Sequence, residues 1–240
     1  MPHQGDHEQQ PVAGSSSSRF TPLTRNSLSQ RAYEEIRAYL MRGRLKPGER
    51  LASRLLTSEL GISTTPVREA LARLASEKAL ELDHRNTVVV PTLTAERYEE
   101  IRDLRAQLEG LAAMRAAGVA TTADVGELVA LHEGHLASES KGALESALAY
   151  NERFHFKLCR LCELPLLMTI VEMLWLQCGP LLNHFYSGNV SLWTHPKHPH
   201  LEVIRSLERR DGEGARAAIV LDITEGAKPI LAKLRSRQSQ

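Results

Sequence analysis

Four polar residues in the second half of the chain stand at spacings that could bring them around one divalent cation. Asn151 and His155 are four residues apart, so both side chains project from the same face of a helix. His200 and Asp222 lie 11 residues before and after Asp211, so two antiparallel helices meeting at a turn there would place them side by side. An amide carbonyl, two imidazoles and a carboxylate inside a helical bundle could bind Zn²⁺, Ni²⁺ or Mn²⁺. Spacing alone equally fits buried histidines that only form hydrogen bonds.

A second group of polar residues opens a predicted helix in the first third of the chain. The segment SELGISTTPVREALARL, residues 58–74, is typical of a helix end, a Gly turn and a second helix with an apolar inner face, which is a helix-turn-helix. The outward face carries Ser63, Thr64, Thr65 and Arg68. Hydroxyls at a helix N-terminus can bind phosphate, and an arginine can bond a guanine edge in the major groove. We therefore expect this face to contact double-stranded DNA.

A short hairpin is predicted directly after this helix. The β-rich pieces LEL and TVVV are separated by residues 83–86, and Asn86 can adopt the positive φ that a hairpin tip needs. His84 and Arg85 would then lie on a wing beside the helix, at the DNA backbone or minor groove. The alternative is that Ser-Thr-Thr-Pro only caps a helix and Arg68 is a solvated charge. The complete helix, turn, helix and wing pattern favours the DNA interpretation.

Other histidines carry weaker signals. His132-Glu-Gly-His135 differs from the His-Glu-x-x-His motif of zinc proteases, because its histidines are three apart and a Gly is expected to interrupt the helix. We therefore expect a solvated face there. His195 and His198 fall in a predicted loop between helices, where the spacing assigns them no role.

Apolar periodicity predicts the elements that position these residues. Residues 1–25 are polar and include a Ser run, which predicts a disordered tail, and Ser27 is expected to start the first helix. Residues 26–91 form the predicted winged helix-turn-helix, and residues 92–236 an all-α antiparallel bundle, so the fold class is mainly α. The predicted helices of the bundle cover residues 94–118, 121–138, 142–162, 165–186, 198–210 and 214–234.

Composition excludes several classes of protein. The chain is 42% hydrophobic and 25% charged, and no apolar run approaches the roughly 20 residues that span a membrane. The N-terminus shows no secretory signal, so we expect a cytoplasmic protein without membrane contact. Cys159, Cys162 and Cys178 are too few for a disulfide framework, and the Cys159-x-x-Cys162 pair is expected to pack in the core. Residues 28–91 carry 11 Lys and Arg against 8 Asp and Glu, a slight excess of positive charge in the predicted DNA-binding part.

The segment LKPGERLASRLLTSELGISTTPVREALARLASEKALEL, residues 45–82, resembles the N-terminal winged helix of GntR-family transcription regulators. The resemblance implies that DNA is contacted by the residues predicted above and by one more arginine: Arg54, Ser63, Thr64, Thr65, Arg68, His84 and Arg85. Two positions depart from the family pattern, which usually has Arg in place of Thr64 and Gly in place of Asn86. The operator sequence is therefore not transferable from relatives.

The segments NERFHFKLCRLCELPLL and HLEVIRSLERRDGEGARAAI resemble the FCD effector domain of the FadR subfamily. This resemblance implies a divalent metal, zinc before nickel or manganese, held at Asn151, His155, His200 and Asp222, where the family usually has an Asp and three His. It also implies that Arg105 binds the carboxylate of a small effector. An alternative for Arg105 is an ordinary surface pair with Glu109, four residues on.

Two functions are compatible with these residues. In the first, the chain is a homodimeric, ligand-responsive transcription regulator, most simply a repressor, whose operator affinity changes when a small organic acid binds the helical domain. In the second, it is a metalloenzyme with His155, His200 and Asp222 as an open three-ligand site. The sequence offers no general base beside these ligands and no nucleophile motif, which favours the regulator.

Overall fold

The described part of the chain begins with a small unit of three helices and a two-stranded hairpin. A computed structural model describes residues 28–186 and 198–238. In chain order the unit contains α1 (Leu28–Met41), α2 (Ser53–Leu60), α3 (Thr64–Ser76), β1 (Glu81–Leu82) and β2 (Val88–Val89). The two strands are antiparallel, with Glu81 opposite Val89. The predicted helix-turn-helix with a following hairpin is confirmed.

The apolar face of α3 holds this unit together. As the spacing predicts, α3 buries Val67, Ala70, Leu71 and Leu74, which pack in one cluster with the buried face of α1. Gly61 ends α2 with a φ of 64°, a left-handed conformation that glycine adopts without strain. The opposite side of α3 is therefore left to solvent.

The described residues that follow form a helical domain. Its helices are α4 (Ala95–Val119), α5 (Thr122–Ser140), α6 (Leu144–Leu161), α7 (Pro165–Tyr186), α8 (Pro199–Glu208) and α9 (Gly212–Gln238). The most extensive helix–helix contact is between α4 and α9. Helix α5 packs along α6, and α8 packs against α9 and α5. The predicted mainly α fold, with an all-α bundle behind the winged helix, is confirmed.

Local sequence explains where these helices begin and turn. The Thr94 hydroxyl accepts a hydrogen bond from the Arg97 backbone N at 3.2 Å. Thr121 and Asp124 form a reciprocal capping box at the start of α5. Asp211 Oδ1 accepts from the Gly214 backbone N at 2.9 Å, which closes the turn between α8 and α9. This turn folds the two helices back on each other, as predicted.

Some predictions fall outside the described residues, namely the tail at 1–25, the helix start at Ser27 and the loop position of His195. The three cysteines are free and buried, so the predicted core packing of Cys159 and Cys162 is confirmed. Within the described ranges, none of the helices has the length and apolar character needed to cross a membrane.

Helix α7 also packs against α1, so the two parts of the chain are in direct contact. Leu176 of α7 joins the buried core of the N-terminal unit. Glu172 Oε2 pairs with the Arg37 guanidinium of α1 at 2.9 Å. A Cβ on Gly179 would lie 2.7 Å from the backbone oxygen of Leu40, so only a residue without a side chain allows this approach.

We expect Gly179→Ala to push α1 and α7 apart and to lower the free energy of unfolding by about 1–3 kcal/mol, the usual cost of overpacking. The matched control is Gly126→Ala on α5, where an added Cβ meets nothing within 4 Å. That change should instead stabilise the helix by up to about 1 kcal/mol. Thermal and urea unfolding of both variants measures the difference, and equal stability of the two would contradict the close approach at Gly179.

Candidate functional site

The exposed side of α3 presents the residues that the sequence assigns to DNA. Ser63 is the N-cap of α3, and its side chain makes no capping hydrogen bond. Ser63, Thr65 and Arg68 are exposed, whereas Thr64 is half-buried. Arg54 on α2 is exposed as well, and no described residue pairs with its guanidinium or with that of Arg68. These two cations and the hydroxyl groups are thus available to an anionic partner.

The hairpin tip is held by its own side chains. Asp83 Oδ1 accepts hydrogen bonds from the backbone N of Arg85 at 2.8 Å and of Thr87 at 2.9 Å. Asn86 has a φ of 56°, so the predicted positive φ is confirmed at the position where the family usually has Gly. The side chains of His84 and Arg85 are exposed on this tip.

Five histidines and one aspartate meet in the centre of the helical domain, and we call them the histidine cluster. Its members are His132 and His135 on α5, His155 on α6, His198 and His200 at the start of α8, and Asp222 on α9. The ring centroids of His198 and His200 are 4.2 Å apart, and the His200 ring stacks on Phe154 at 3.7 Å. Four helices thus contribute donor atoms to one buried site.

Asp222 is the anion of the histidine cluster. Its Oδ2 lies 3.1 Å from His155 Nε2 and 3.6 Å from His200 Nε2, and its Oδ1 lies 3.6 Å from His198 Nδ1. The prediction that His200 and Asp222 come side by side is therefore confirmed. Burial alone would raise the pKa of Asp222, but the hydrogen bond and the positive charge of His155 hold it well below its ordinary value. Burial lowers the pKa of His198 to about 4 and that of His200 well below its ordinary value, so both imidazoles are neutral at pH 7.

His155 bridges two buried carboxylates. Its Nδ1 donates to Glu109 Oε2 at 2.6 Å, and its Nε2 donates to Asp222 Oδ2 at 3.1 Å. Burial alone would lower the pKa of His155, but Glu109 and Asp222 raise it to about 9. His155 is therefore an imidazolium at neutral pH, and both of its ring nitrogens are hydrogen-bonded.

Arg105 is buried at the other end of this network. Its Nε donates to Glu109 Oε1 at 2.8 Å, and its guanidinium lies 3.9 Å from the ring centroid of Trp175. Trp175 Nε1 also donates to Glu109 Oε1, at 3.0 Å. Burial alone would raise the pKa of Glu109, but Arg105 and His155 lower it to about 2. The pair with Glu109 considered above is present, but it is buried rather than at the surface.

The expectation of a solvated face at His132 and His135 is wrong. Helix α5 continues through Gly134, and both histidines are only 2% exposed. A Cβ on Gly134 would lie 2.5 Å from the Tyr150 ring, so this glycine allows close packing against α6 rather than ending the helix. The signal was present in the sequence, because Leu128, Leu131, His132 and His135 follow the i, i+3, i+4, i+7 spacing of a buried helix face. Glu109 and His198 were likewise missing from the predicted site.

The predicted metal set is brought together only in part. Donor atoms of His155, His200 and Asp222 all lie within 4.8 Å of one another. Asn151 is half-buried one turn before His155 on α6, and its role as a ligand stays a prediction. Both ring nitrogens of His200 are buried without a hydrogen-bond partner in the described part of the chain. Each such unsatisfied group costs about 1–3 kcal/mol, so these residues fit an ion that takes imidazole ligands.

Sequence comparison identifies both parts of the chain. Residues 28–90 match the profile described as bacterial regulatory proteins of the gntR family, and residues 100–224 match the FCD domain. The HTH-type transcriptional regulator McbR of Escherichia coli strain K12 is 33% identical over 192 residues, which are 79% of this chain and 86% of McbR. The HTH-type transcriptional repressor RspR of the same strain is 23% identical over 199 residues, 82% of this chain and 86% of RspR.

A solved structure has the same architecture. The structure of E. coli McbR/YncC aligns with a TM-score of 0.76 and 28% identity, over 87% of this chain and 99% of that one. These relatives regulate transcription and are not enzymes, so the metalloenzyme alternative is set aside. The chain therefore belongs to the GntR family of bacterial transcription regulators and carries an FCD domain behind its winged helix.

Proposed function

We propose that this GntR regulator is a repressor that leaves its operator when a small carboxylate binds the helical domain. The observation that carries the proposal is the position of α7. Its Trp175 and Cys178 contact Arg105, while its Leu176 packs in the core of the winged helix. One helix thus contacts both the candidate effector site and the candidate DNA-binding unit. The name of RspR as a repressor supports the direction of regulation.

DNA recognition is assigned to the exposed face of α3 and to the hairpin. Ser63, Thr64 and Thr65 lie at the positive end of the helix dipole, where they bind backbone phosphate. Arg68 reads a guanine edge in the major groove. Arg54 binds phosphate, and His84 and Arg85 bind the backbone or the minor groove from the wing.

We expect Arg68→Ala to weaken operator binding by about 1–3 kcal/mol, because a bidentate contact to guanine is lost. The control is Arg115→Ala, which removes the same charge from an exposed position on α4. Fluorescence anisotropy with operator and scrambled duplexes at several salt concentrations measures both variants. If Arg68→Ala weakens binding to the operator and to the scrambled duplex equally, the arginine contacts only phosphate and the proposed contact to a base is wrong.

The candidate effector is a small organic acid that binds Arg105. A planar guanidinium bonds a carboxylate through two parallel hydrogen bonds, and the Trp175 ring beneath it restricts its orientation. Glu109 already occupies the Nε side of this guanidinium. An entering carboxylate would therefore compete with Glu109 for Arg105.

A divalent metal is proposed as the second anchor of the effector. His155, His200 and Asp222 would hold it, with the Asn151 carbonyl as a further ligand, and Zn²⁺, Ni²⁺ and Mn²⁺ are the candidate ions. The ion supplies a positive charge to which an acid can bind directly. His155 must lose a proton and its hydrogen bond to Asp222 to take this role.

Coupling to DNA follows from the contacts of α7. Displacing Glu109 from Arg105 also changes the hydrogen bond from Trp175 Nε1 and the stacking beneath the guanidinium. A shift of α7 is transmitted directly to α1, through the Arg37–Glu172 pair and the close approach at Gly179. Displacements of about 1–2 Å between packed helices are sufficient for such switching. In a homodimer, they change the fit of two recognition helices to half-sites about 34 Å apart.

The whole proposal is tested by a titration against the DNA upstream of the chain's own gene. We expect tight, salt-sensitive binding that one member of a panel of small carboxylic acids relieves, and that relief should disappear with a chelator. Binding that no acid or chelator alters would retain DNA recognition and overturn the carboxylate and metal mechanism. The absence of specific binding would overturn the DNA-binding assignment of α3.

Arg105→Lys tests the effector site without leaving Glu109 buried and unpaired. Lysine keeps the charge but loses the planar, two-pronged geometry, so we expect the acid concentration needed for half-release to rise by about tenfold or more. DNA affinity without acid should stay within about twofold of the original. The control is Arg102→Lys on the same helix, whose partner Asp103 is exposed. An unchanged response in Arg105→Lys would contradict the role of Arg105.

A further inference from the structure

The histidine cluster contains a second set of ligands that uses α5 instead of α6. The ring nitrogens of His132, His198 and His200 include donor atoms within 4.8 Å of one another. The ring centroid of His132 lies 5.3 Å from that of His198 and 5.6 Å from that of His200. The three imidazoles therefore surround one point. The carboxylate of Asp222 is beside them, 3.6 Å from nitrogens of both His198 and His200.

The burial of His132 and His200 is costly in free energy unless a partner binds their ring nitrogens. Their side chains are 2% and 0% exposed, and all four of their ring nitrogens lack a hydrogen-bond partner among the described residues. His155, in contrast, has both nitrogens engaged, by Glu109 at 2.6 Å and by Asp222 at 3.1 Å. His135, on the same helix as His132, has one of its two nitrogens engaged, since its Nδ1 lies 3.0 Å from the Ala147 carbonyl oxygen. The two imidazoles without a hydrogen-bond partner among the described residues, His132 and His200, therefore both belong to the α5 and α8 set.

We propose that His132, His198 and His200 form a transition-metal site of three imidazoles, with Asp222 as the neighbouring negative charge. This inference rests on the proposed presence of a metal in the helical domain and assigns it a different position. Here His155 keeps its hydrogen bonds to both carboxylates. The metal is held between α5 and α8, and the Glu109–His155–Asp222 network stays intact beside it.

The donor set defines the class of ion. Imidazole nitrogen suits Cu²⁺, Ni²⁺ and Zn²⁺, whereas Mg²⁺, Ca²⁺ and Mn²⁺ favour oxygen ligands. Metal–nitrogen bonds of about 2.0–2.1 Å require nitrogens about 3.4 Å apart in a tetrahedral site, so the three rings must move slightly inward on binding. Three protein ligands leave one coordination position open. A carboxylate from a bound acid can take that position.

The two ligand sets exclude each other. A neutral imidazole has only one nitrogen with a free lone pair, and His200 belongs to both sets. One ion per chain is therefore expected, with three imidazole ligands in the α5 set or two in the set with His155 and Asp222. The number of bound nitrogens distinguishes the two positions directly.

The experiment uses the full chain, stripped with a chelator and loaded with one equivalent of Cu²⁺, with glycine present to keep weak surface sites unfilled. Electron paramagnetic resonance counts the imidazole ligands, and isothermal titration gives the affinity. We expect three imidazoles in the unmodified chain. His132→Gln should reduce the count to two and weaken Cu²⁺ binding by more than about tenfold, since even losing an outer-shell partner of a ligand costs 10–100-fold. The control His135→Gln, one turn away on α5, should keep all three.

This inference would be overturned if the unmodified chain showed only two imidazole ligands, or if His132→Gln left the number of imidazole ligands and the Cu²⁺ affinity unchanged. The metal of the proposed function would then remain at His155, His200 and Asp222. An unmodified chain that binds no Cu²⁺ against glycine would overturn both metal assignments. Release of DNA by a carboxylic acid is a separate measurement, so failure of this inference and failure of the proposed function are distinguishable. The count in the unmodified chain also decides the question if His132→Gln does not fold.

Discussion

The helical domain depends on the neutralisation of two buried carboxylates. Glu109 and Asp222 are both nearly inaccessible to water, and an unpaired charge at such a position would cost several kcal/mol. Arg105 and His155 supply the compensating charges, so cation and anion alternate from Arg105 through Glu109 and His155 to Asp222. These four residues lie on α4, α6 and α9, and the network therefore fixes the relative position of three helices. The histidines of α5 and α8 pack around its far end.

The same network connects the interior with the winged helix. Trp175 of α7 donates to Glu109, while Gly179, one turn further along α7, contacts α1 at a point where only glycine fits. Packed helices of this kind move as rigid bodies with few alternative positions, because interiors resist compression. In the proposed mechanism, a change of partner at Arg105 is therefore converted into a change in helix position rather than into local side-chain movement. The exposed arginines of α2 and α3 lie on the unit that α7 contacts.

The fold was predictable from residue pattern, whereas the site was predictable only in part. Periodicity located the helices to within a few residues, and the turn at Asp211 brought His200 and Asp222 together as expected. The prediction at Gly134 was wrong because the sequence does not distinguish a glycine that permits close packing between helices from one that ends a helix. Glu109 was correctly named as the partner of Arg105, but the burial of this pair was not predicted. Burial depends on which helices cover α4, and the spacing of residues along α4 carries no information about them.

The position of Glu109 bears on how sensitive the proposed regulator is to its acid effector. It is a carboxylate tethered one helical turn from Arg105, so it is present at a local concentration far above that of any free metabolite. In the proposed mechanism, an acid from solution has to displace this carboxylate from Arg105, which raises the acid concentration needed for half-occupancy. The strength of the Arg105–Glu109 pair would then set the acid concentration at which the regulator responds.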